Sequence, residues 1–271
     1  MVATAETFID ALIALTENEA VAIRFNKEVV LDADYSFGLS FNIINAHNLD
    51  MNGKYFYINN LTVELGSDGE LNVATEIEGY RAAYVDGVYK LVEFAAYVNT
   101  PVAATYYTKN VEDVRYLGVD LPIAGLTADE LLPGVKIENV EGAVVSIELE
   151  NYTDGSLVKT GQIMKVNIVE NDRVVAFITY TVIVIGDANG NGMIDVGDAV
   201  AMRTIYTNNV EGKETEGITA AKLMAADANI NDGVDVGDAV RVQTKWTLIT
   251  ESEDKEAAWA EWIAKLTAPV M

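Results

Sequence analysis

Apolar and polar residues partly alternate over the first two thirds of the chain, and this alternation predicts β-strands. The segments KYFYINNLTVEL, from Lys54, and ELNVATEIEGY, from Glu70, show it most clearly. Turn dipeptides typical of antiparallel hairpins separate such segments: Asn52-Gly53, Asp68-Gly69 and Asp86-Gly87. We therefore expect an all-β, sandwich-like domain over residues 1–117.

A second group of strand patterns follows, and it consists of AVVSIELENY, QIMKVNIVEN and RVVAFITYTVIVIGD. Turn-forming pairs separate them at Asp154-Gly155 and Asn171-Asp172. We expect a small β-sandwich over residues 118–186. No stretch rich in Gly, Ser or Pro follows it, so a rigid connection to the next segment is expected.

The C-terminal segment TESEDKEAAWAEWIAKL has helical periodicity. Thr250 and Glu253 stand three residues apart, as in a capping box. The large apolar residues fall on one helical face: Trp259, Trp262, Ile263 and Leu266. An amphipathic helix is therefore expected within residues 250–271, packed on a neighbouring module or, alternatively, presented to a partner.

Charge, hydropathy and cysteine content together exclude several classes of function. The chain has 42 Asp and Glu against 18 Lys and Arg, a net charge of −24, which would repel the phosphates of a nucleic acid. No apolar run approaches the roughly 18 residues of a membrane-spanning helix. There is no cysteine, which excludes disulfides, thiolate metal sites and a cysteine nucleophile.

Two acidic loops with alternating Asp and Asn recur 40 positions apart (227 − 187), and each precedes a helical pattern. Calcium takes roughly six to eight oxygens, and a twelve-residue loop supplies them from its first, third, fifth, seventh, ninth and twelfth positions. The first loop offers Asp187, Asn189, Asn191, the carbonyl of Met193, Asp195 and Asp198. The second offers Asp227, Asn229, Asn231, the carbonyl of Gly233, Asp235 and Asp238. One such loop could be an acidic surface turn, but the repetition predicts two calcium ions.

The sixth loop position must turn with a positive φ, and the two loops differ there. The first has Gly192, whereas the second has Asp232. Aspartate tolerates the left-handed region better than most residues. We therefore expect a working but weaker second site.

The segments DANGNGMIDVGDAVAMRTIY and DANINDGVDVGDAVRVQTKW resemble the paired calcium-binding repeats of the dockerin family. They end in Asp rather than Glu at the twelfth position, and no clear entering helix precedes the first. The resemblance covers residues 187–248 and implies a dockerin over 187–249 that docks onto a cohesin domain of a scaffoldin or cell-surface protein. It implies partner contacts from Val196, Gly197, Ala201, Thr204 and Ile205, and from Val236, Gly237, Arg241, Thr244 and Lys245.

The equal loop residues would permit two docking orientations related by a half-turn. The helix residues differ in charge between the repeats, with Arg241 and Lys245 in the second only. This difference favours one dominant orientation.

The β-rich region offers few catalytic candidates. His47 is the single histidine and is expected in a turn, and Glu76 with Glu78 is a weak candidate for a glycosidase carboxylate pair. Aromatic residues near the predicted hairpins could stack on sugar rings, but they are also typical of a β-core: Tyr55, Phe56, Tyr57, Tyr80, Tyr84 and Tyr89. The second β unit could instead resemble the X-modules that precede some dockerins.

Taken together, the patterns predict a multidomain protein with all-β, sandwich-like N-terminal modules followed by a small α-helical calcium-binding dockerin. The resemblance implies a non-catalytic, extracellular component of a cellulosome-like complex that degrades polysaccharide. The alternatives are a carbohydrate-binding module or, less favoured, a glycoside hydrolase delivered by the dockerin, and a calcium-dependent adhesion protein.

Overall fold

The structure is a computed structural model that describes residues 2–17, 20–100 and 103–267. It is a mixed α/β fold with 25% helix and 35% strand. The chain divides into two compact units. The first unit comprises Met1–Ala95, Asn139–Ser146 and Asn167–Ile178, and the second comprises Ala96–Glu138, Ile147–Val166 and Thr179–Met271.

The first unit begins with a strand and one helix and continues with short strands. These elements are β1 (Val2–Ala5), α1 (Phe8–Thr16), β2 (Ala22–Phe25), β3 (Val29–Val30), β4 (Tyr35–Phe37), β5 (Phe41–Ile44), β6 (Leu49–Asp50), β7 (Phe56–Ile58), β8 (Leu65–Ser67), β9 (Val73–Ala74), β10 (Tyr80–Val85) and β11 (Val88–Glu93). A short 3-10 helix, Ala46–Asn48, precedes β6.

Most strands of the first unit pair in parallel with a strand one coil further along the chain. Ile23 lies opposite Ile43, a separation of 20 residues (43 − 23), and Val29 lies opposite Leu49, again 20 residues apart (49 − 29). The strands thereby form three faces, β2-β5-β8, β3-β6 and β4-β7-β9. This arrangement is a short three-sided parallel β-solenoid, in which each coil pairs only with its neighbours.

The interior of the solenoid is filled by apolar side chains from all three faces. Phe8 of α1 packs against Phe56, with ring centroids 5.2 Å apart, and against Tyr35 at 4.5 Å. Helix α1 begins with a capping box between Thr7 and Asp10. The helix therefore contributes its apolar face to the core of the coils.

Only one of the three predicted hairpins is present. Asp86-Gly87 joins β10 to β11 as a two-residue turn, with Val85 opposite Val88 and a positive φ at both turn residues. Asn52-Gly53 and Asp68-Gly69 instead lie in connections between successive faces of the solenoid. A period of two and a Gly-containing turn do not distinguish a hairpin from a corner of a parallel coil.

The second unit combines strands with the C-terminal helices. Its elements are β12 (Ala96–Thr100), β13 (Ala103–Val111), β14 (Val114–Asp120), α2 (Ala128–Leu131), β15 (Val135–Ile137), β16 (Val144–Leu149), β17 (Ile163–Glu170), β18 (Arg173–Val184), α3 (Val196–Val210), α4 (Ala220–Ala226), α5 (Val236–Glu251) and α6 (Lys255–Thr267). The strands form a nearly closed seven-stranded sheet in the order β15-β12-β13-β14-β18-β17-β16. Parts of β16, β17 and β18 belong to the first unit. The expected boundary after residue 117 falls within β14.

The predicted fold class, all-β sandwich-like modules followed by a small α-helical calcium-binding domain, is wrong. The first unit is built on parallel pairing, and the C-terminal helices share one compact unit with strands. The N–H of Gly186 bonds to the carbonyl of Ala225 (2.9 Å), and that of Ile194 bonds to the carbonyl of Ile123 (2.9 Å). Backbone contacts from outside therefore hold the helical segment, which does not form a small domain of its own.

The predicted C-terminal helix is present as α6, but the expected capping box of Thr250 with Glu253 is wrong, because Thr250 lies within α5. Trp259 and Trp262 are buried with Ile249 against Ile123 and Leu248, so these two rings pack inside the second unit. The side chains of Ile263 and Leu266 lie outside the described residues. Within the described chain, no helix is both long enough and apolar enough to cross a membrane.

Candidate calcium loops and docking face

The first acidic loop is organised around Asp187, which follows β18 and is fully buried. Its Oδ1 accepts hydrogen bonds from the backbone N–H groups of Gly190 and Asn191, both at 2.9 Å, and its Oδ2 accepts from Gly192 at 3.1 Å. These bonds wrap the backbone around one carboxylate, as a cation-binding loop requires.

The second loop repeats this arrangement around Asp227. Its Oδ1 accepts from the N–H of Asn231, and its Oδ2 accepts from the N–H of Asp232, both at 3.0 Å. In both loops, the backbone N–H groups at the fifth and sixth positions thus donate to the carboxylate at the first position.

The twelfth positions also correspond. Asp198 accepts from the N–H groups of Asn189 and Asp195 (3.1 and 2.9 Å). Asp238 accepts from Asn229 and Asp235 (2.9 and 2.7 Å). Asp195 and Asp235 are the N-caps of α3 and α5, so each loop ends in a capping box that starts the next helix.

The first loop is fixed by segments from outside it. The N–H of Thr160 donates to Oδ2 of Asp187 at 3.0 Å in a buried bond. Gly192 lies so close to its surroundings that a Cβ there would meet Leu157 at 2.8 Å and the carbonyl oxygen of Val158 at 2.9 Å. The close approach therefore requires glycine at this position, and the positive φ favours it.

The second loop adopts the same left-handed turns without glycine. Its fourth and sixth positions, Ile230 and Asp232, have φ values of 57° and 69°, whereas the first loop has Gly190 and Gly192 there. From the sequence alone, the calcium-loop pattern singles out Asp232, because glycine is usual at the sixth position. It does not single out Ile230 at the fourth position. A β-branched residue with positive φ is strained by about 1–3 kcal/mol.

Burial and neighbouring charge perturb the carboxylates at the twelfth positions. The pKa of Asp198 is raised to about 7, chiefly by burial and also by the negative charges of Asp187 and Asp195, against the opposing backbone hydrogen bonds. Burial likewise raises the pKa of Asp238. Carboxylates held together in this way are stabilised by a bound cation.

The donor atoms of the two loops decide which cation they can bind. No cluster of three or more His, Cys, Asp or Glu side chains placed to hold a metal occurs in residues 2–17, 20–100 and 103–267. The loops instead combine carboxylates with amide and backbone oxygens, which suit a hard cation. In the second loop, Oδ1 of Asn229 is buried without a hydrogen-bond partner among the described residues, an arrangement that a cation at this ligand position would satisfy.

Helices α3 and α5 pack against each other and expose equivalent residues. Val196 and Val236 are 51% and 48% exposed, and Val200 and Val240 one turn later are 58% and 50% exposed. The hydroxyls of Thr204 and Thr244 donate to the carbonyls of Val200 and Val240 (2.9 and 2.7 Å). We call these residues, with Gly197 and Gly237, the valine stripes. The resemblance did not point to Val200 and Val240, although their spacing of four residues from the loop valines could have identified them.

Several residues expected on the exposed face lie elsewhere. Ile205 and Lys245 are buried, with 1% and 3% exposure, so the expectation that they contact a partner is wrong. Ala201 and Arg241 are only half-buried, and Arg241 donates to the hydroxyl of Tyr106 at 3.2 Å. Arg241 and Lys245 face the strands and α6, because the second stripe occupies the opposite side of α5.

The candidate residues of the β-rich region do not form a site. His47 is exposed in the short 3-10 helix. Glu76 and Glu78 lie in the connection between β9 and β10 rather than on one strand, and Glu76 accepts from the side chain of Asn59 at 2.9 Å. Of the aromatic candidates, Tyr55, Phe56 and Tyr89 are buried, Tyr57 and Tyr80 are half-buried, and Tyr84 is half exposed.

No protein-family model matches the chain, and no significant similarity to a curated protein or a solved structure was found.

Proposed function

We propose that the two acidic loops bind two calcium ions and that the calcium-loaded valine stripes dock onto a cohesin domain of a scaffoldin or cell-surface protein. The observation that carries the proposal is the repetition at a distance of 40 residues (227 − 187). Ligand residues, backbone hydrogen bonds and exposed valines all recur at this interval. A simple acidic surface turn would not explain why the loop and the exposed helix face after it both occur twice.

The exposed residues of α3 and α5 make the proposed docking surface apolar. Four exposed valines stand in two equivalent pairs, and the threonine hydroxyls at the ends of the stripes are satisfied by their own helices. The stripes therefore present mostly methyl groups. Such a face would bind an apolar surface of a partner and would gain little from charge.

The structure also weakens the expectation of one dominant docking orientation. The charged residues that distinguish the helices, Arg241 and Lys245, are not part of the exposed stripes. The residues of the valine stripes are the same in both repeats, and an exposed difference in charge lies beside them, where Arg203 in α3 corresponds to Gln243 in α5. We therefore propose that the two orientations related by a half-turn bind with similar affinity.

The wider role follows from the resemblance to dockerins. We propose a non-catalytic, extracellular component of a cellulosome-like complex, which calcium-dependent docking attaches to its scaffold. The burial or half-burial of five of the six aromatic candidates is consistent with a structural role for the first unit.

The experiment that tests the proposal has two arms. Calorimetric titration of the chelated full chain should give two calcium ions, and capture by a panel of cohesins should require calcium. Val196→Glu together with Val236→Glu should abolish capture without loss of calcium binding, whereas Val144→Glu, at an equally exposed valine outside the stripes, should have no effect. Absence of calcium binding, or calcium binding without capture by any cohesin, would contradict the proposal.

Each stripe can then be tested alone. If both orientations bind equally, Val196→Glu and Val236→Glu should each weaken affinity only slightly, because the intact orientation remains. A strong loss from one single variant would show that one orientation dominates.

A further inference from the structure

A buried ion pair joins α5 to β14 in the second unit. Lys245 and Asp120 are 3% and 2% exposed, and Nζ of Lys245 contacts Oδ1 of Asp120. The same Nζ donates to the carbonyl of Leu121 at 2.9 Å. Lys245 is the single buried lysine in the part of the chain that the structure describes.

The surroundings of the pair are largely apolar. Nζ of Lys245 lies 4.8 Å from the centroid of the Trp259 ring and 5.8 Å from that of Trp262. Withdrawing two charges from water into such a site is costly for each ion. Burial lowers the pKa of Lys245, although the nearby Asp120 carboxylate opposes this shift. Proton transfer from the ammonium to the carboxylate would leave an amine and a carboxylic acid, both uncharged.

The second oxygen of Asp120 is held by a different donor. The indole Nε1 of Trp262 donates to Oδ2 at 3.0 Å. This bond polarises the carboxyl group and is directed at the oxygen that would carry negative charge if the carbon were attacked. The amine therefore faces one oxygen while a fixed donor holds the other.

A small cavity adjoins the pair. It measures about 10 Å³ and is lined in part by Tyr106, Asp120, Arg241, Lys245 and Trp262. A space of this size beside these polar side chains accommodates about one water molecule. The Tyr106 hydroxyl accepts a bond from Arg241, and burial raises its pKa, so it retains its proton at the cavity wall.

We propose that Lys245 and Asp120 form an intramolecular isopeptide bond. The neutral Nζ attacks Cγ of the protonated Asp120 carboxyl group, and the negative charge that develops on Oδ2 is stabilised by the Trp262 N–H. Oδ1 leaves with its own proton and one proton from Nζ. An amide forms, one water molecule is released into the cavity, and no oxidant or other reactant is needed.

The bond would connect two segments that are distant in sequence but adjacent in the second unit. Positions 120 and 245 are 125 residues apart, so the link would close a long loop and restrict the unfolded chain. It would tie the helix that carries the second valine stripe to the sheet. Load transmitted through that helix would then pass into β14 through a covalent bond.

The mass of the denatured full chain tests the proposal directly. We expect it to be lower than the sequence mass by one water molecule. Proteolysis should release a branched peptide that joins the Asp120 and Lys245 segments, and fragmentation should locate the bond. Lys245→Arg keeps a positive charge but forms no such bond, so its mass should equal the sequence mass.

Succinimide formation also removes one water and must be distinguished. It occurs at Asp-Gly sequences, is reversed by mild alkali, and gives no branched peptide; the sites are Asp68-Gly69, Asp86-Gly87, Asp154-Gly155 and Asp232-Gly233. The full sequence mass, or a water loss confined to those sites, would overturn the proposal. The branched peptide of the unsubstituted protein decides the question even if Lys245→Arg fails to fold.

Discussion

The two acidic loops carry the same types of ligand residue, but only the first is built into the sheet. Asp187 is fully buried, and its carboxylate accepts four backbone N–H groups, one of them from Thr160 outside the loop. Within the described residues, the Asp227 carboxylate accepts two, both from its own loop. Equal ligand residues therefore do not imply equal support, because the support comes from segments that the repeat does not include.

The largest difference is expected when the first carboxylate of each loop is removed. Asp187→Ala leaves four N–H groups without an acceptor, including buried ones, and we expect a loss of about 3–5 kcal/mol in the free energy of unfolding. Asp227→Ala leaves two in a more exposed loop, and about 1–2 kcal/mol should be lost. Urea denaturation in chelator measures both, and equal losses would show that the first loop is no better supported than the second.

The free energy of unfolding should also depend on pH through Asp198 of the first loop. The pKa of Asp198 is raised from 3.8 to about 7, so between these values the folded chain binds more protons at this group than the unfolded chain. This contribution to stability is fully present below pH 3.8 and is lost as the pH rises towards 7.

Measurement of the carboxyl pKa values by NMR in chelator checks this expectation. Asp198 should titrate near neutrality, and the melting temperature of the metal-free protein should fall over the same range. Saturating calcium should remove most of that dependence, because the ion takes the place of the proton. Titration of Asp198 in the ordinary range of aspartate would contradict the expectation.

The smallest effect concerns the turns of the second loop. Asn tolerates the left-handed region, so Ile230→Asn should raise the free energy of unfolding by about 1 kcal/mol. The matched variant, Gly190→Ile in the first loop, should lower it by about 1–3 kcal/mol, since that residue would acquire the same strain. Denaturation of both variants tests the comparison, and a loss of stability in Ile230→Asn would show that the strain is absent or offset by side-chain contacts.

Short sequence patterns correctly predicted the elements that short-range hydrogen bonds and turn residues determine. The helices after both loops begin where the Asp residues form capping boxes, and the Asp86-Gly87 hairpin follows from its turn residues. The solenoid was missed because parallel and antiparallel strands share a period of two. The recurrence of apolar residues 20 positions apart, at Ile23 and Ile43 and at Val29 and Leu49, could have indicated it.

The environment of Lys245 could not be predicted from its own segment. Its spacing from Val242 and Ile249 places it on the buried face of α5, where a lysine is unusual. Its burial depends on Asp120, 125 residues earlier, and on Trp262 in the following helix. Interactions across such distances have no signature in hydrophobic periodicity, so the charged contact surface inferred for α5 was wrong for this residue.

The parallel coils of the first unit have a consequence for how this protein can change in length over evolution. A duplicated segment of about 20 residues would cover the coil before it and present a similar edge to the coil after it. This architecture therefore tolerates the insertion of whole coils, and its corners also absorb a few extra residues, since paired positions lie 17 residues apart at Phe56 and Val73 (73 − 56) but 24 apart at Phe41 and Leu65 (65 − 41). Lineages that share this unit should consequently differ in length by whole coils and by short insertions at the corners between faces.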